Sequence, residues 1–354
     1  MADNKYRTEQ DAVSDRKIKE LLLDMPPFVS EYFRSKKNEG MAATTRLAYA
    51  YELRTFFDYL QQTPGFKNMD LKQSTVDILD LLEYQDIEDY LDHMKAYTNS
   101  NGLEITNGKQ SSKRKISSLR SFYGFYFNKD MIKTNPMLKI PVPKLADKAI
   151  VTFDQEEISG ILDIIYSNEG DSRQKRASRE KTRTRDIAIL SLLFGTGMRV
   201  SELVGIDLSD LDFKNARIKV TRKGRDESFV MFGEEVEAAL SSYLKSDRNA
   251  LHPDENNKDA LFISLQHKRI GVRAVEIMVK KYANEAGITY KPTTPHKCRS
   301  TFGTYVYNET GDIYVVADAL GHKSVETTKK HYANIDESHK RKAASVANGL
   351  FSSN

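Results

Sequence analysis

The segment 133–149, KTNPMLKIPVPKLADKA, carries three of the chain's nine prolines and almost no helical period. Each proline fixes φ, lacks an amide hydrogen and pushes the residue before it away from helix. The pattern predicts an extended linker over 136–149, with a first domain over 1–135 and a second over 150–354. Both parts are long enough to bury a core of their own.

The first part reads as helices. Leu47, Tyr51, Phe57 and Leu60 recur near helical spacing behind Thr44 and Thr45, with Thr45 the expected cap. Ser111 and Ser112 precede KRKISSLRSFYGFYF, where Ile116, Leu119, Phe122, Tyr123 and Tyr126 form an apolar stripe that reads as core. In the second part, VTFDQEEISGILDIIY is a helix capped at Thr152 or Asp154, and DIAILSLLFGTGMR is a buried helix stopped by Gly195 and Gly197. RIKVTR and SFVMF flank KGRDE, a hairpin pattern. Helices follow to the end, so the fold class is mainly α with a small antiparallel sheet.

Composition removes several functions. No run approaches the ~18–20 apolar residues of a membrane span, and MADNKYRTEQDAVSDRKIKE has neither the apolar core nor the cleavage site of a secretory signal. The expectation is a cytoplasmic protein with no membrane partner. A single cysteine, Cys298, excludes an internal disulfide or a Cys-cluster zinc site, and the seven histidines lack ligand spacing. No metal and no cofactor are expected.

Charge is informative once counted locally. The net +4 hides residues 70–92, with eight acids against Lys72, and residues 109–148, with ten Lys/Arg against Asp130 and Asp147. Such segregation suits one surface to a polyanion. Lys113, Arg114, Lys115 and Arg120 sit early on their expected helix, where cations oppose the macrodipole, so phosphate contact explains them better than helix stability does. Residues 173–185 hold seven more Lys/Arg, read as a solvated loop or helix entry.

Four separated motifs stand out. In GTGMRVSEL, Glu202 lies three residues after Arg199 and can hold its guanidinium. Lys223 stands at the hairpin tip between Arg222 and Arg225, on a ribbon able to enter a nucleic-acid groove. In TPHKCR, His296 and Arg299 share a turn after a proline start. In LGHKSVETTKKHY, His322 is followed ten residues on by Tyr332.

GTGMRVSEL, the hairpin lysine, TPHKCRSTFGT, ALGHKSVETT and the tyrosine of KKHYANI, in this order, resemble the tyrosine recombinase (phage-integrase-like) family. The SSKRKISSLRSFY helix resembles that family's helical, SAM-like core-binding domain, and the two-domain layout resembles the Xer type. YNETGDIYVVADALGH and the extended N-terminus are similar to the single-recombinase, XerS-like subgroup. The resemblance implies an active-site cluster of Arg199, Lys223, His296, Arg299 and His322, with Tyr332 as nucleophile and Glu202 in support. It implies DNA contacts from Lys113, Arg114, Lys115, Arg120, Arg222 and Arg225. A double-stranded DNA recombination site and a homotetramer joined through the C-terminal tail are the implied partners, with a DNA translocase or other accessory protein beside them. The tail after Tyr332, DESHKRKAASVANGLF, can instead pack on its own domain.

The chemistry suits the residue types. Attack by tyrosine on a phosphodiester builds negative charge that arginine forks can hold. With its ordinary pKa of about 10, tyrosine needs a nearby histidine or cationic field. The departing 5′ oxygen needs a proton, which a lysine among cations can give. A phosphotyrosine keeps the bond energy, so rejoining needs no ATP. Three positions depart from the common family pattern: Ser300, where histidine is frequent; Arg222, where glycine is frequent; and the ten-residue His322–Tyr332 interval. His331 is read as a neighbour of the nucleophile without a role. Chromosome dimer resolution is the expected task. A mobile-element integrase, a type IB-like topoisomerase and a non-catalytic DNA-binding protein are the competing readings.

Overall fold

The computed structural model describes residues 5–98, 102–144, 150–167, 172–222, 226–322 and 324–332. The chain divides into two compact units, Met1–Asp147 and Lys148–Asn354.

The first unit contains α1 (Lys5–Leu22), α2 (Val29–Asn38), α3 (Ala43–Leu60), α4 (Tyr84–His93), the strands β1 (Ala96–Thr98) and β2 (Glu104–Thr106), and α5 (Lys109–Phe127). The two strands pair antiparallel, Tyr97 opposite Ile105. As expected, the aromatic stripe of α5 is core. Phe122 is fully buried and meets Tyr32, Phe57 and Tyr126 edge-on at 5.3, 6.2 and 5.3 Å between ring centres. Burying each such ring contributes about 1.5–3 kcal/mol.

Two helices begin earlier than their sequence caps suggest. α3 starts at Ala43 behind an extended Ala42, two residues ahead of Thr45. α5 starts at Lys109 behind an extended Gly108, and the Ser111 hydroxyl instead donates to Asn107 Oδ1 at 2.8 Å. Lys113, Arg114 and Lys115 therefore lie in the second turn. The macrodipole acts mainly within the first turn, so it does not single them out.

The expected linker also begins differently. Pro136–Leu138 form a 3-10 turn capped by the Asn135 side chain, and Met137 and Ile140 are buried in the first unit's core. Asp80, one of the eight acids of 70–92, accepts from the Lys133 and Thr134 amides at 2.8 and 2.9 Å and from the Thr134 hydroxyl at 3.0 Å. Residues 136–140 are thus docked rather than extended. Residues 145–149 of the expected linker lie outside the described set.

The second unit runs α6 (Gln155–Tyr166), α7 (Arg173–Glu180), α8 (Arg183–Thr196), α9 (Val200–Val204), β3 (Leu211–Asp212), β4 (Arg217–Thr221), β5 (Glu227–Met231), α10 (Glu234–Lys245), α11 (Asp247–Ala250), α12 (Val272–Glu285), α13 (Pro295–Thr310), α14 (Ile313–Leu320) and α15 (Val325–Tyr332). Asp154 caps α6 in a reciprocal box with Glu157, as one of the two expected caps. α8 is the buried central helix. Gly195 lies inside it, and a Cβ there would stand 2.7 Å from Val236 of α10, so glycine permits that packing. The stop is Gly197, at φ +61°.

β3, β4 and β5 form an antiparallel sheet in chain order, Ile218 opposite Val230, both facing the core. The Arg222 amide donates to Asp226 O at 2.8 Å and closes the base of the expected hairpin. Its tip, with Lys223 and Arg225, lies outside the described residues.

Of the two readings of the basic run at 173–185, a solvated loop or a helix entry, the structure has the helix. The run forms α7 and the start of α8, and Arg179 and Arg185 are buried. Arg179 Nη2 meets Glu285 at 3.0 Å, and Lys175 meets the other oxygen of that carboxylate at 2.9 Å. Arg185 Nη2 meets Asp186 at 2.7 Å, and its Nη1 donates to Ile263 O at 2.9 Å. Among the described residues, no helix is long and apolar enough to cross a membrane.

Candidate active site

The short turn between α8 and α9 presents Arg199. Its backbone is extended (φ −73°, ψ 144°), and it stands immediately before α9. Glu202 grips it twice: Oε2 accepts the Arg199 amide and Oε1 accepts Arg199 Nη1, each at 2.8 Å. The Glu202 side chain is buried while that of Arg199 is 38 % exposed. A buried carboxylate thus holds the guanidinium, as the i, i+3 spacing suggested, through a cap rather than a shared helix face.

α13 begins with Pro295 in its first turn, behind an extended Thr294. Proline suits that position because its missing amide hydrogen would have no helical partner. His296 is exposed there, whereas Arg299 is 5 % exposed. Arg299 Nη1 donates to Gly197 O and Nη2 to Leu320 O, both at 2.6 Å. One guanidinium therefore ties the turn that presents Arg199 to the turn that presents His322. Gly197 fits this junction because a Cβ would strike the Phe302 ring and stand 3.0 Å from Leu320 Cδ2. Ser300, the departure from histidine, is buried and turns its hydroxyl back to His296 O at 3.1 Å.

α14 ends at Gly321, at φ +63°, and His322 follows. The His322 amide donates to Ala317 O at 2.9 Å, and its Nδ1 pairs with Thr328 Oγ1 at 2.6 Å. The Arg222 guanidinium occupies the place a side chain on Gly321 would take. Arg222, expected on DNA, is thus turned onto the His322 turn, bringing the base of the hairpin to that side of the site. Tyr332 closes α15. Its side chain, Lys223 and Arg225 lie outside the described residues, as does the tail from 333 onward. Among the described residues, no three His, Cys, Asp or Glu side chains gather as a metal-binding group. Burial pushes the Cys298 thiol far above its ordinary range, so it stays protonated.

The first unit corrects one expected DNA contact. Lys115 is buried, and its Nζ meets Glu52 Oε2 at 2.7 Å, so it faces α3 and the core. The sequence held the signal: 115, 119, 122 and 126 recur on the apolar face of α5. Arg114 Nε meets the other Glu52 oxygen while its side chain stays 59 % exposed. Lys113 is exposed, and Arg120, also exposed, donates to Ile140 O at 2.6 Å. Thr328 was absent from the sequence reading. Its one clue was the four-residue step to Tyr332, which places both on one side of a helix.

Comparison with known proteins extends the geometry. Residues 152–339 match the model of the phage integrase family. The tyrosine recombinase XerC of Caldanaerobacter subterraneus subsp. tengcongensis is 33% identical over 332 residues, covering 91% of this chain and 86% of the relative. XerC of Staphylococcus saprophyticus subsp. saprophyticus is 33% identical over 302 residues, covering 83% and 94%. Among solved structures, the XerH site-specific recombinase bound to palindromic difH substrate, a post-cleavage complex, has a TM-score of 0.63 at 20% identity, covering 88% of this chain and 82% of that one. A lambda integrase dimer bound to a COC′ core site has a TM-score of 0.59 at 16% identity, covering 84% and 95%. With the motifs in family order and the match spanning most of the second unit, the chain belongs to the phage integrase family and is a site-specific tyrosine recombinase.

Proposed function

We propose that this recombinase cuts and rejoins duplex DNA through a 3′-phosphotyrosine at Tyr332 and that it resolves chromosome dimers. The observation that carries the reading is the Arg299 fork. It holds together two turns over 120 residues apart in sequence, each bearing one group of the implied cluster.

In this reading Arg199 and Arg299 hold the non-bridging oxygens of the scissile phosphate, and Glu202 keeps Arg199 aimed. The Tyr332 oxygen attacks phosphorus, its proton leaving to a neighbouring base, and the bond to the 5′ oxygen breaks. Lys223 gives that oxygen a proton, and His296 and His322 complete the hydrogen bonds around the phosphate. The reverse steps, with a new 5′ hydroxyl, rejoin the strand and release the tyrosine. A positively charged site with two arginines suits an anionic transition state and leaves no step that requires ATP.

The same reading assigns the first unit to core binding on DNA and 150–354 to catalysis, on a protein assembled as a homotetramer through its tail. The Xer resemblance supports chromosome dimer resolution, with a DNA translocase or another accessory protein as partner. The test is a supercoiled plasmid carrying two copies of a duplex selected by binding from a random pool. Wild-type protein should resolve it without nucleotide, and Tyr332→Phe should leave it intact. Relaxation of plasmids without the selected site, with no resolution, would favour a topoisomerase.

A further inference from the structure

We propose that Thr328 is a positioning residue, through which the helix carrying Tyr332 sets the orientation of His322. The inference rests on the reading of His322 and Tyr332 as active-site groups. Thr328 is fully buried, yet it is polar and bonded to an imidazole: its Oγ1 stands 2.6 Å from His322 Nδ1. A hydroxyl removed from water needs such a partner, and a histidine so held is limited in ring rotation.

The two partners belong to different elements. His322 lies in the turn after α14, fixed by the Gly321 bend and by its own amide bond to Ala317 O. Thr328 is in the middle of α15, four residues before Tyr332 and therefore on the same side of that helix. Docking of α15 and placement of His322 are thus one event. A protomer whose nucleophile helix is withdrawn also loses the constraint on its histidine, so readiness to attack and readiness to assist are coupled.

The test uses the full chain with Thr328→Val, which keeps shape and β-branching but removes the hydroxyl, and Thr328→Ser, which keeps the oxygen. On a nicked, binding-selected duplex, Thr328→Val should form the covalent adduct about tenfold more slowly, the worth of one hydrogen bond. DNA affinity should be unchanged, and Thr328→Ser should restore most of the rate. In a His322→Asn background, Thr328→Val should change the rate by less than about twofold, because the shared effect is already lost. Equal slowing in both backgrounds, or no slowing in either, overturns the proposal. A second readout needs no chemistry: in DNA-free protein, the His322 ring-nitrogen resonances should move in Thr328→Val and stay in Thr328→Ser. Unchanged resonances in Thr328→Val overturn the proposal even if the enzyme is inert, whereas absence of adduct from wild type counts against the proposed function alone.

Discussion

Lys115→Met separates a cation that folds the protein from cations that meet DNA. In the structure the Lys115 ammonium is 2.7 Å from Glu52 Oε2, and both side chains are 6 % exposed. Methionine matches the lysine stem in length and apolar character but leaves that oxygen without its partner. Breaking a buried pair costs about 3–5 kcal/mol when the remaining charge has nothing else. Here Arg114 still holds Oε1, so the expected loss is about 2–3 kcal/mol. Urea denaturation of the full chain should show it as a lower midpoint for unfolding of the first unit. Binding to duplex DNA, measured against salt, should keep the wild-type slope, because Lys115 releases no counterion from DNA. Lys113→Gln should do the reverse, sparing stability and lowering the slope by about 0.9 for the one phosphate contact removed. A stable Lys115→Met protein with a flattened salt slope would refute this division.

Two further predictions concern the second unit. Burial, the largest single influence, raises the Glu157 pKa, but the hydrogen bonds from Lys291, Tyr290 and the Asp154 amide, with the Lys291 charge, together outweigh it and hold the carboxyl below its ordinary range. A depressed carboxylate stabilises the fold above its unfolded pKa of about 4.3, and the contribution fades as pH falls through the folded value. Glu157→Gln should therefore cost about 1–3 kcal/mol at pH 7, with the difference in Tm closing in acid; a gap constant from pH 7 to 3.5 contradicts it. Arg299→Lys replaces a fork by a single ammonium that cannot span Gly197 O and Leu320 O, so at least one bond worth about 1.5–3 kcal/mol goes. A lower Tm should accompany loss of the covalent adduct, and an unchanged Tm would show that the fork does not brace the two turns.

Legibility in the sequence followed the range of the interaction. The Asp154 cap, the proline start of α13, the Gly197 stop and the β4–β5 hairpin are decided within a few residues, and all could be read directly. Family order is what proposes Arg199, Glu202, His296, Arg299 and His322 as a site. What escaped depends on partners far along the chain. Lys115 and Arg179 look like surface cations until Glu52 and Glu285 are brought to them, and Asp80 looks solvated until it caps the backbone at 133–134. Residues 136–140 show no period because a 3-10 turn with two buried side chains needs none. The strands β1 and β2, at three residues each, are too short for alternation to register. Thr328 was hidden because a lone threonine acquires meaning only when an imidazole meets it.

On the proposed mechanism, Tyr332 carries the DNA strand between cleavage and rejoining. Trapping the protein on a nicked duplex, digesting it and sequencing the nucleotide-bearing peptide by mass spectrometry tests this directly. One modified peptide is expected, containing Tyr332, with nucleotides linked to its side chain through a 3′ phosphate. A 5′ linkage, or nucleotides on any other of the 18 tyrosines, would contradict it.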